Sequence, residues 1–227
     1  MPFDDPAARP DHLGGIQTQP PQRSSRLGDH RTIVIAGRAC HISQSLDRVH
    51  LEQVTADGLS SHAVAVTALL ELVLAPLDGD PRPLGDWLTT FHLATVALDP
   101  YTNESSWILG TAKRILDDFR GADVRVNFLV TADAEGARSF LGPLADEFLV
   151  FVDPDRTVVK GLGLTMLPAF VFVRLDGTVH AAAEGWNPIE WRAVAESIAE
   201  VTAWTKPVIP TATDPLAFAG TAIDSLP

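Results

Sequence analysis

Regular alternation of apolar and polar positions is confined to the middle of the chain. Between residues 86 and 204, short apolar runs bounded by turn residues predict strands, and apolar residues every three to four positions predict helices. The strands are predicted at 91–98, 124–130, 148–152, 169–173 and 179–182, and the helices at 105–119, 134–141 and 188–204. This order of elements predicts an α/β sandwich with a mixed central sheet.

Turn and capping residues support these bounds. Asp176-Gly177 is a strong signal for a hairpin between the last two strands, and Pro188 stands in the first turn of the last helix, where proline is favoured. Gly121 follows the 105–119 helix at the place of a C-cap glycine. On that helix Trp107 shares its spacing with the apolar residues of the inner face, so we expect Trp107 in the core.

The regions on either side are harder to interpret. Residues 1–29 are rich in Pro, Gln, Ser and Arg and predict a flexible arm. Residues 30–85 form an N-terminal extension of mixed α and β character; within it, 60–75 fits either a helix in its first half, which we favour, or a strand leading to a hairpin at Asp78-Gly79. Residues 205–227 form an extended, Pro-rich tail.

The tail can lie across the body as a strap if its apolar side chains anchor it. Four residues could serve as anchors: Val208, Ile209, Leu216 and Phe218.

Composition excludes several classes of function. The 227 residues carry a formal charge of −12 and a single cysteine, Cys40. The acidic charge argues against nucleic acid or an anionic membrane as the main partner, and no apolar run is long enough for a membrane span. The start lacks the pattern of a secretory signal, so we expect a cytoplasmic protein. One thiol excludes an internal disulfide, a Cys-x-x-Cys pair and a cysteine-rich zinc site.

A family resemblance rests on the second half of the chain. It is carried by Phe-Val-Asp-Pro-Asp at 151–155, the segment 161–173 with Pro168 at its centre, Leu-Asp-Gly at 175–177, and Gly185-Trp186. With these motifs residues 86–204 resemble the thioredoxin superfamily, in particular its redoxin branch of thiol-disulfide reductases and peroxiredoxins. The resemblance implies that the peptide bond before Pro168 is cis and that Pro168 faces the active-site region.

The same resemblance shows what the chain lacks. In thioredoxin-like enzymes the nucleophilic thiolate stands at the start of the first helix, in a Trp-Cys-x-x-Cys motif, where the helix dipole stabilises the anion. The matching stretch here is 101–105, in which Thr102 and Ser105 stand where both cysteines would stand. A hydroxyl group forms no disulfide, and its pKa lies far above that of a thiol. We therefore expect that the chain is not a dithiol oxidoreductase.

Two interpretations of this stretch remain open. Thr102 or Asn103 can cap the helix and Glu104 can complement its dipole, with no ligand involved. Alternatively, the helix start and the Pro168 segment form a binding cleft for a carboxylate, a thiol-bearing small molecule or an extended peptide, with Trp107 as a further wall. The candidate cleft residues are Tyr101, Thr102, Asn103, Glu104, Ser105, Met166, Leu167 and Pro168. No catalytic residue, metal ligand or cofactor is assigned.

The lone cysteine does not suggest a second site. Cys40 with His41 and His50 fits no established metal-ligand spacing, and Cys40 is interpreted as a small buried hydrophobe or an inert thiol.

These observations lead to a functional hypothesis with alternatives. The first is a redox-inactive thioredoxin-like protein that acts as a protein-binding or assembly factor, with a homodimer left open. The second is an enzyme that holds a thiol cofactor or another small molecule in the cleft, like a transferase or a peroxidase, and uses a hydroxyl of Ser105, Thr102 or Tyr101. The third is a structural subunit that makes its contact through residues 30–85.

Overall fold

A mixed seven-stranded sheet organises the part of the chain that the computed structural model describes, residues 69–225. The strands are β1 (Val73–Pro76), β2 (Arg82–Pro83), β3 (His92–Leu98), β4 (Val124–Val130), β5 (Leu149–Val152), β6 (Met166–Leu167), β7 (Ala169–Val173), β8 (Val179–Glu184) and β9 (Thr221–Ala222). The strand order in the seven-stranded sheet is β2-β1-β5-β4-β3-β7-β8. Strands β6 and β9 form a separate two-stranded sheet.

Six helices that lie wholly within residues 69–225 surround the sheets, together with a short 3-10 turn at Ile223–Ser225. They are α1 (Leu84–Trp87), α2 (Asn103–Asp118), α3 (Ala134–Leu141), α4 (Leu144–Glu147), α5 (Thr157–Gly161) and α6 (Pro188–Thr202).

The centre of the sheet is parallel and its flank is antiparallel. Strand β4 pairs in parallel with both β3 and β5, whereas β7 runs antiparallel to β3 and β8. Both faces of β3 are covered, so its residues 93–98 are all buried, as expected of a strand inside a parallel sheet. The carboxyl ends of β3, β4 and β5 therefore lie side by side at one edge of the sheet.

Each face of the sheet has its own apolar core. Helices α2 and α6 cover one face and bury Ile108, Ile115 and Trp191 there. The other face is covered by α1, α5 and the chain end, which bury Trp87, Val159 and Ile223 among others. The C-terminal segment thus belongs to the packed body.

The predicted α/β sandwich with a mixed sheet is confirmed. Every strand and helix predicted between residues 86 and 204 is present, and each bound agrees within two residues. The short elements α1, α4, α5, β6 and β9 were not predicted.

Two predictions on helix α2 are wrong. Trp107 is 56% exposed rather than buried, and its ring meets the Phe218 ring of the tail at 5.5 Å. The helix ends at Asp118 with Phe119 as its C-cap at a negative φ, and Gly121 does not have a positive φ, so Gly121 is not a left-handed C-cap. A Cβ atom on Gly121 would stand 2.9 Å from the Trp204 ring. Glycine is needed there for close packing.

The sheet extends past the predicted domain boundary at residue 86. Strands β1 and β2 form an antiparallel hairpin around Gly79, whose φ is +123°, and β1 also pairs with β5. The alternative of a strand leading to a hairpin at Asp78-Gly79 is therefore right for residues 73–83. The favoured helix in the first half of 60–75, the strand at 32–36, the arm 1–29 and Cys40 lie outside the described residues.

The tail crosses the body with fewer apolar anchors than predicted. Ile209 is buried and Phe218 is half-buried, but Val208 and Leu216 are exposed, Leu216 by 91%. A polar anchor replaces them. The Asp214 carboxylate receives two hydrogen bonds from the Arg114 guanidinium at 3.0 and 2.8 Å, one from the Thr111 hydroxyl at 2.8 Å and one from the Thr211 amide at 2.6 Å.

These donors also set the charge state of Asp214. Burial raises the pKa of its carboxyl, but the hydrogen bonds from Thr211, Thr111 and Arg114 outweigh burial and hold the pKa below its usual value. The tail is thus fastened to α2 by a carboxylate that stays ionised at neutral pH.

His92, the first residue of β3, makes a pH-sensitive contact. Its Nδ1 accepts a hydrogen bond from the Leu175 amide at 3.0 Å, which requires Nδ1 to be unprotonated. Burial, and next the charge of Arg174, lower the pKa of His92 below 6.5, against smaller opposing effects of Asp176 and Asp123.

We expect this contact to make stability fall in mild acid. Because the pKa of His92 is lower in the folded chain, the unfolded chain binds the proton first as the pH decreases. The contribution is complete above about pH 6.5 and is lost as the pH falls through the folded-state pKa, no more steeply than about 1.4 kcal/mol per pH unit. His92→Gln, which can still accept the hydrogen bond but does not titrate, should show a smaller decrease of Tm. An equal decrease in both chains would contradict this.

Candidate functional site

The candidate site lies at the carboxyl ends of the parallel strands, where ligands bind in open α/β sheets. The residue that follows each of these strands is polar and buried: Asp99 after β3, Thr131 after β4 and Asp153 after β5. The Arg156 guanidinium faces this edge, with its Nη2 atom 3.4 Å from Asp99 Oδ2.

Thr102 and Ser105 form a closed local network at the start of α2. Thr102 Oγ1 lies 3.0 Å from Ser105 Oγ and 3.0 Å from the Asp99 carbonyl oxygen, and Ser105 Oγ accepts the Asp99 amide at 2.8 Å. Thr102 is only 8% exposed and Ser105 is fully buried. The two hydroxyls therefore hold the strand end against the first turn of the helix, and we call them the hydroxyl pair.

The residues around the hydroxyl pair differ in exposure. Thr102 is the N-cap residue by position, but its side chain makes no capping hydrogen bond, so that part of the capping prediction is wrong. The Thr102 hydroxyl donates a hydrogen bond to the Asp99 carbonyl oxygen instead. Glu104 stands in the first turn, where it complements the helix dipole as predicted. Tyr101 and Asn103 are exposed and Glu104 is half-buried.

The second half of the predicted cleft is the segment Thr165–Pro168, which we call the Pro168 edge. The Leu167–Pro168 peptide bond is cis. Pro168 and Leu167 are buried, and Met166 is half-buried. The Glu184 carboxylate holds the start of the edge by accepting hydrogen bonds from the amides of Thr165 and Met166 and from the Thr165 hydroxyl.

The tail occupies the backbone of the Pro168 edge. Met166 pairs with Ala222 and Leu167 with Thr221 in the antiparallel β6–β9 sheet. The Ile223 amide donates to the Thr165 carbonyl at 2.9 Å. In the cleft hypothesis this backbone binds an extended peptide. In the structure it is already paired with an extended segment of the same chain.

Known proteins are similar to this chain in structure only. No protein-family model matches the chain, and no curated protein matches it. One similar solved structure is a secreted disulfide oxidoreductase of Mycobacterium tuberculosis, homologous to E. coli DsbE, at 22% identity, 51% coverage of this chain, 84% of that chain and a TM-score of 0.42.

Two further solved structures have similar values. The exposed lipoprotein thioredoxin of Streptococcus pneumoniae matches at 18% identity over 57% of this chain and 98% of its own, with a TM-score of 0.47. A cysteine-to-serine variant of peroxiredoxin Q from Xanthomonas campestris matches at 14% identity over 60% and 93%, with a TM-score of 0.48.

The topology decides the assignment. Parallel strands β3, β4 and β5 are connected through α2 and α3, and the antiparallel β7–β8 hairpin after Pro168 leads into α6. The chain has a thioredoxin-like fold. The hydroxyl pair and the Pro168 edge are the two positions where that fold was expected, from the sequence, to carry its active-site region.

The candidate site contains residues that sequence reasoning missed. Asp99 and Arg156 form its ion pair, Glu184 holds the Pro168 edge, and Gly220 lets the tail approach it. Arg156 stands in a left-handed conformation with φ at +57°. The Asp-Pro-Asp sequence before Arg156 is the signal that could have found it, because these residue types favour a tight turn at the end of β5.

The described part of the chain contains neither a metal-binding cluster nor a membrane-spanning helix. Among residues 69–225 no group of three or more His, Cys, Asp and Glu side chains is arranged to hold a metal ion. In the same range no helix has the length and apolar character to cross a membrane. Cys40, His41 and His50 lie before this range.

Proposed function

We propose that the chain is a redox-inactive thioredoxin-like protein that binds a protein partner. The observation that carries this proposal is the hydroxyl pair at the start of α2. Disulfide exchange needs a thiolate that attacks and a second sulfur that resolves the mixed disulfide. Thr102 and Ser105 supply neither, and their oxygens are buried and bound to each other and to Asp99.

Exposed apolar side chains near the site support a partner-binding role. Trp107 on α2 contacts Phe218, and Leu216, two residues earlier in the tail, is 91% exposed. We call Trp107 and Leu216 the rim. Exposed aromatic and large aliphatic side chains beside a backbone edge are typical of the anchors of protein interfaces. The rim accordingly suits a partner that presents an apolar surface.

The alternative of an enzyme that activates a bound thiol has less support. It requires a hydroxyl at the helix start that faces a ligand. Thr102 and Ser105 are committed to internal hydrogen bonds, so Tyr101, at 69% exposure, would have to supply it alone.

The experiment measures partner affinity with a matched pair of variants. The full chain is used to pull down a partner from native lysate, and the partner is purified. The Kd of its complex is then measured with wild type, Leu216→Asp and Leu175→Asp. Leu175 is an exposed leucine beside His92, at the opposite end of β3. We expect Leu216→Asp to weaken binding at least about tenfold, the effect of removing one interface anchor, and Leu175→Asp to leave it unchanged. Equal affinity of all three chains would contradict the proposal.

A further inference from the structure

We propose that residues 218–224, which we call the tail strand, are an internal occupant of the Pro168 edge that a partner must displace. The inference rests on the proposed function, because it identifies what regulates that site. It also identifies the ligand class: an extended peptide that carries a glycine and, three residues later, a large aliphatic residue.

Backbone pairing shows that the tail strand lies on the edge as a bound strand would. Two ladder positions join β6 to β9, and the Ile223 amide extends the pairing to Thr165. On the other side of Pro168, Trp186 and Phe218 exchange backbone hydrogen bonds at 2.9 and 3.0 Å. The tail strand therefore follows the backbone on both sides of Pro168.

Two glycines make this close approach possible. A Cβ atom on Gly220 would stand 2.8 Å from the Leu167 carbonyl oxygen, and one on Gly185 would stand 2.7 Å from the Gly220 nitrogen. Gly185 also has a φ of +66°, which favours glycine. A ligand must consequently have glycine at the position of Gly220, since even a Cβ atom collides with the backbone of the edge.

The far end of the tail strand is held by one apolar and one charged contact. Ile223 is buried in the core on the α5 side of the sheet. Next to it, the Asp224 carboxylate lies 2.8 Å from Lys160 Nζ at the surface. These contacts define the rest of the ligand pattern: an aliphatic side chain at the position of Ile223, followed by an acidic one.

The tail strand can leave without unfolding the sheet. Its pairing with the edge is two residues long, and the preceding residues Leu216 and Ala217 are exposed. Ile223 is the one buried side chain of the tail strand, and short segments with so few buried contacts open locally at much lower free energy than the whole domain. A covalently attached strand nevertheless has a high effective concentration, so a free peptide competes poorly with it.

The test adds the tail sequence back as a separate peptide. A fluorescent peptide of residues 216–225 is titrated into three full-length chains: wild type, Gly220→Val and Ala219→Val. Gly220→Val drives a side chain into Leu167 and should release the tail strand, whereas Ala219 is exposed and serves as the matched control. We expect the peptide to bind Gly220→Val at least about tenfold more tightly than the other two chains.

A second variant and a second peptide complete the design. Asp224→Lys places two positive charges side by side at Lys160 and loosens the tail strand without changing a core residue. If Gly220→Val does not fold, Asp224→Lys replaces it as the chain with a released tail strand. A peptide with valine in place of its glycine should bind none of the chains. Equal affinity of wild type and the released variants, or no binding to any chain, would overturn the inference.

These results are separate from those of the proposed function. If the peptide binds Gly220→Val but Leu216→Asp leaves partner affinity unchanged, the tail strand does occupy the Pro168 edge and the partner does not bind at the rim. Loss of partner affinity in Leu216→Asp, together with no peptide binding, would show the reverse.

Discussion

Asp214→Ala is expected to lower the free energy of unfolding by about 2–4 kcal/mol and Tm by about 5–15 °C. The side chain of Asp214 is 2% exposed and pairs with Arg114, and its oxygens accept four hydrogen bonds. Removing the carboxylate leaves the Arg114 charge and the Thr111 hydroxyl without this acceptor, and unsatisfied groups at partly buried positions are costly. Thermal and urea unfolding measure the change.

The control for this variant is Asp146→Ala. Asp146 also pairs with an arginine, Arg138, but its side chain is 85% exposed, so its removal should change stability by no more than about 0.5 kcal/mol. Similar stability of the two variants would show that Asp214 does not fasten the tail.

Thr102→Cys/Ser105→Cys, made in a Cys40→Ser background, is expected to form a disulfide in mild oxidant. The two side-chain oxygens that the sulfurs replace are 3.0 Å apart. A disulfide needs about 2.05 Å between its sulfurs, so a movement of about 1 Å closes the bond. Thiol titration and mass spectrometry should show two thiols before oxidation and none after it.

A shifted pair tests whether the spacing matters. In Thr102→Cys/Ser106→Cys the second cysteine stands at an exposed position, where the serine oxygen lies 3.5 Å from the Thr102 carbonyl. This chain should keep two free thiols under the same conditions. Persistent thiols in the Thr102/Ser105 double variant would mean that the hydroxyl pair does not occupy the geometry of a dithiol site.

The central fold could be predicted because its signals are local. Strand β3 is a mostly apolar run, β4 is rich in β-branched and aromatic residues, and α2 carries its apolar residues at helical spacing. Trp107 was misplaced because its partner, Phe218, lies far along the chain in a segment without periodicity. Helical spacing alone cannot reveal such a partner, and the tail rather than the core receives the Trp107 ring.

The site was predictable in part. The position of the hydroxyl pair followed from the resemblance, but its internal hydrogen bonds did not, because they depend on the Asp99 backbone at the end of β3. The tail strand left no pattern: β6 and β9 are two residues long, and Gly220 reads as an ordinary loop glycine. The glycine at 220 is explained only by the close contact of the tail backbone with the Leu167 carbonyl oxygen in the folded chain.

The most direct test of the account is turnover by the unmodified chain in two assays, reduction of insulin disulfides and consumption of hydrogen peroxide. We predict rates equal to the protein-free blank in both assays, for wild type and for Cys40→Ser alike. Turnover above the blank in either assay, whether it survives Cys40→Ser or disappears with it, would contradict the claim that this thioredoxin-like fold works without redox chemistry.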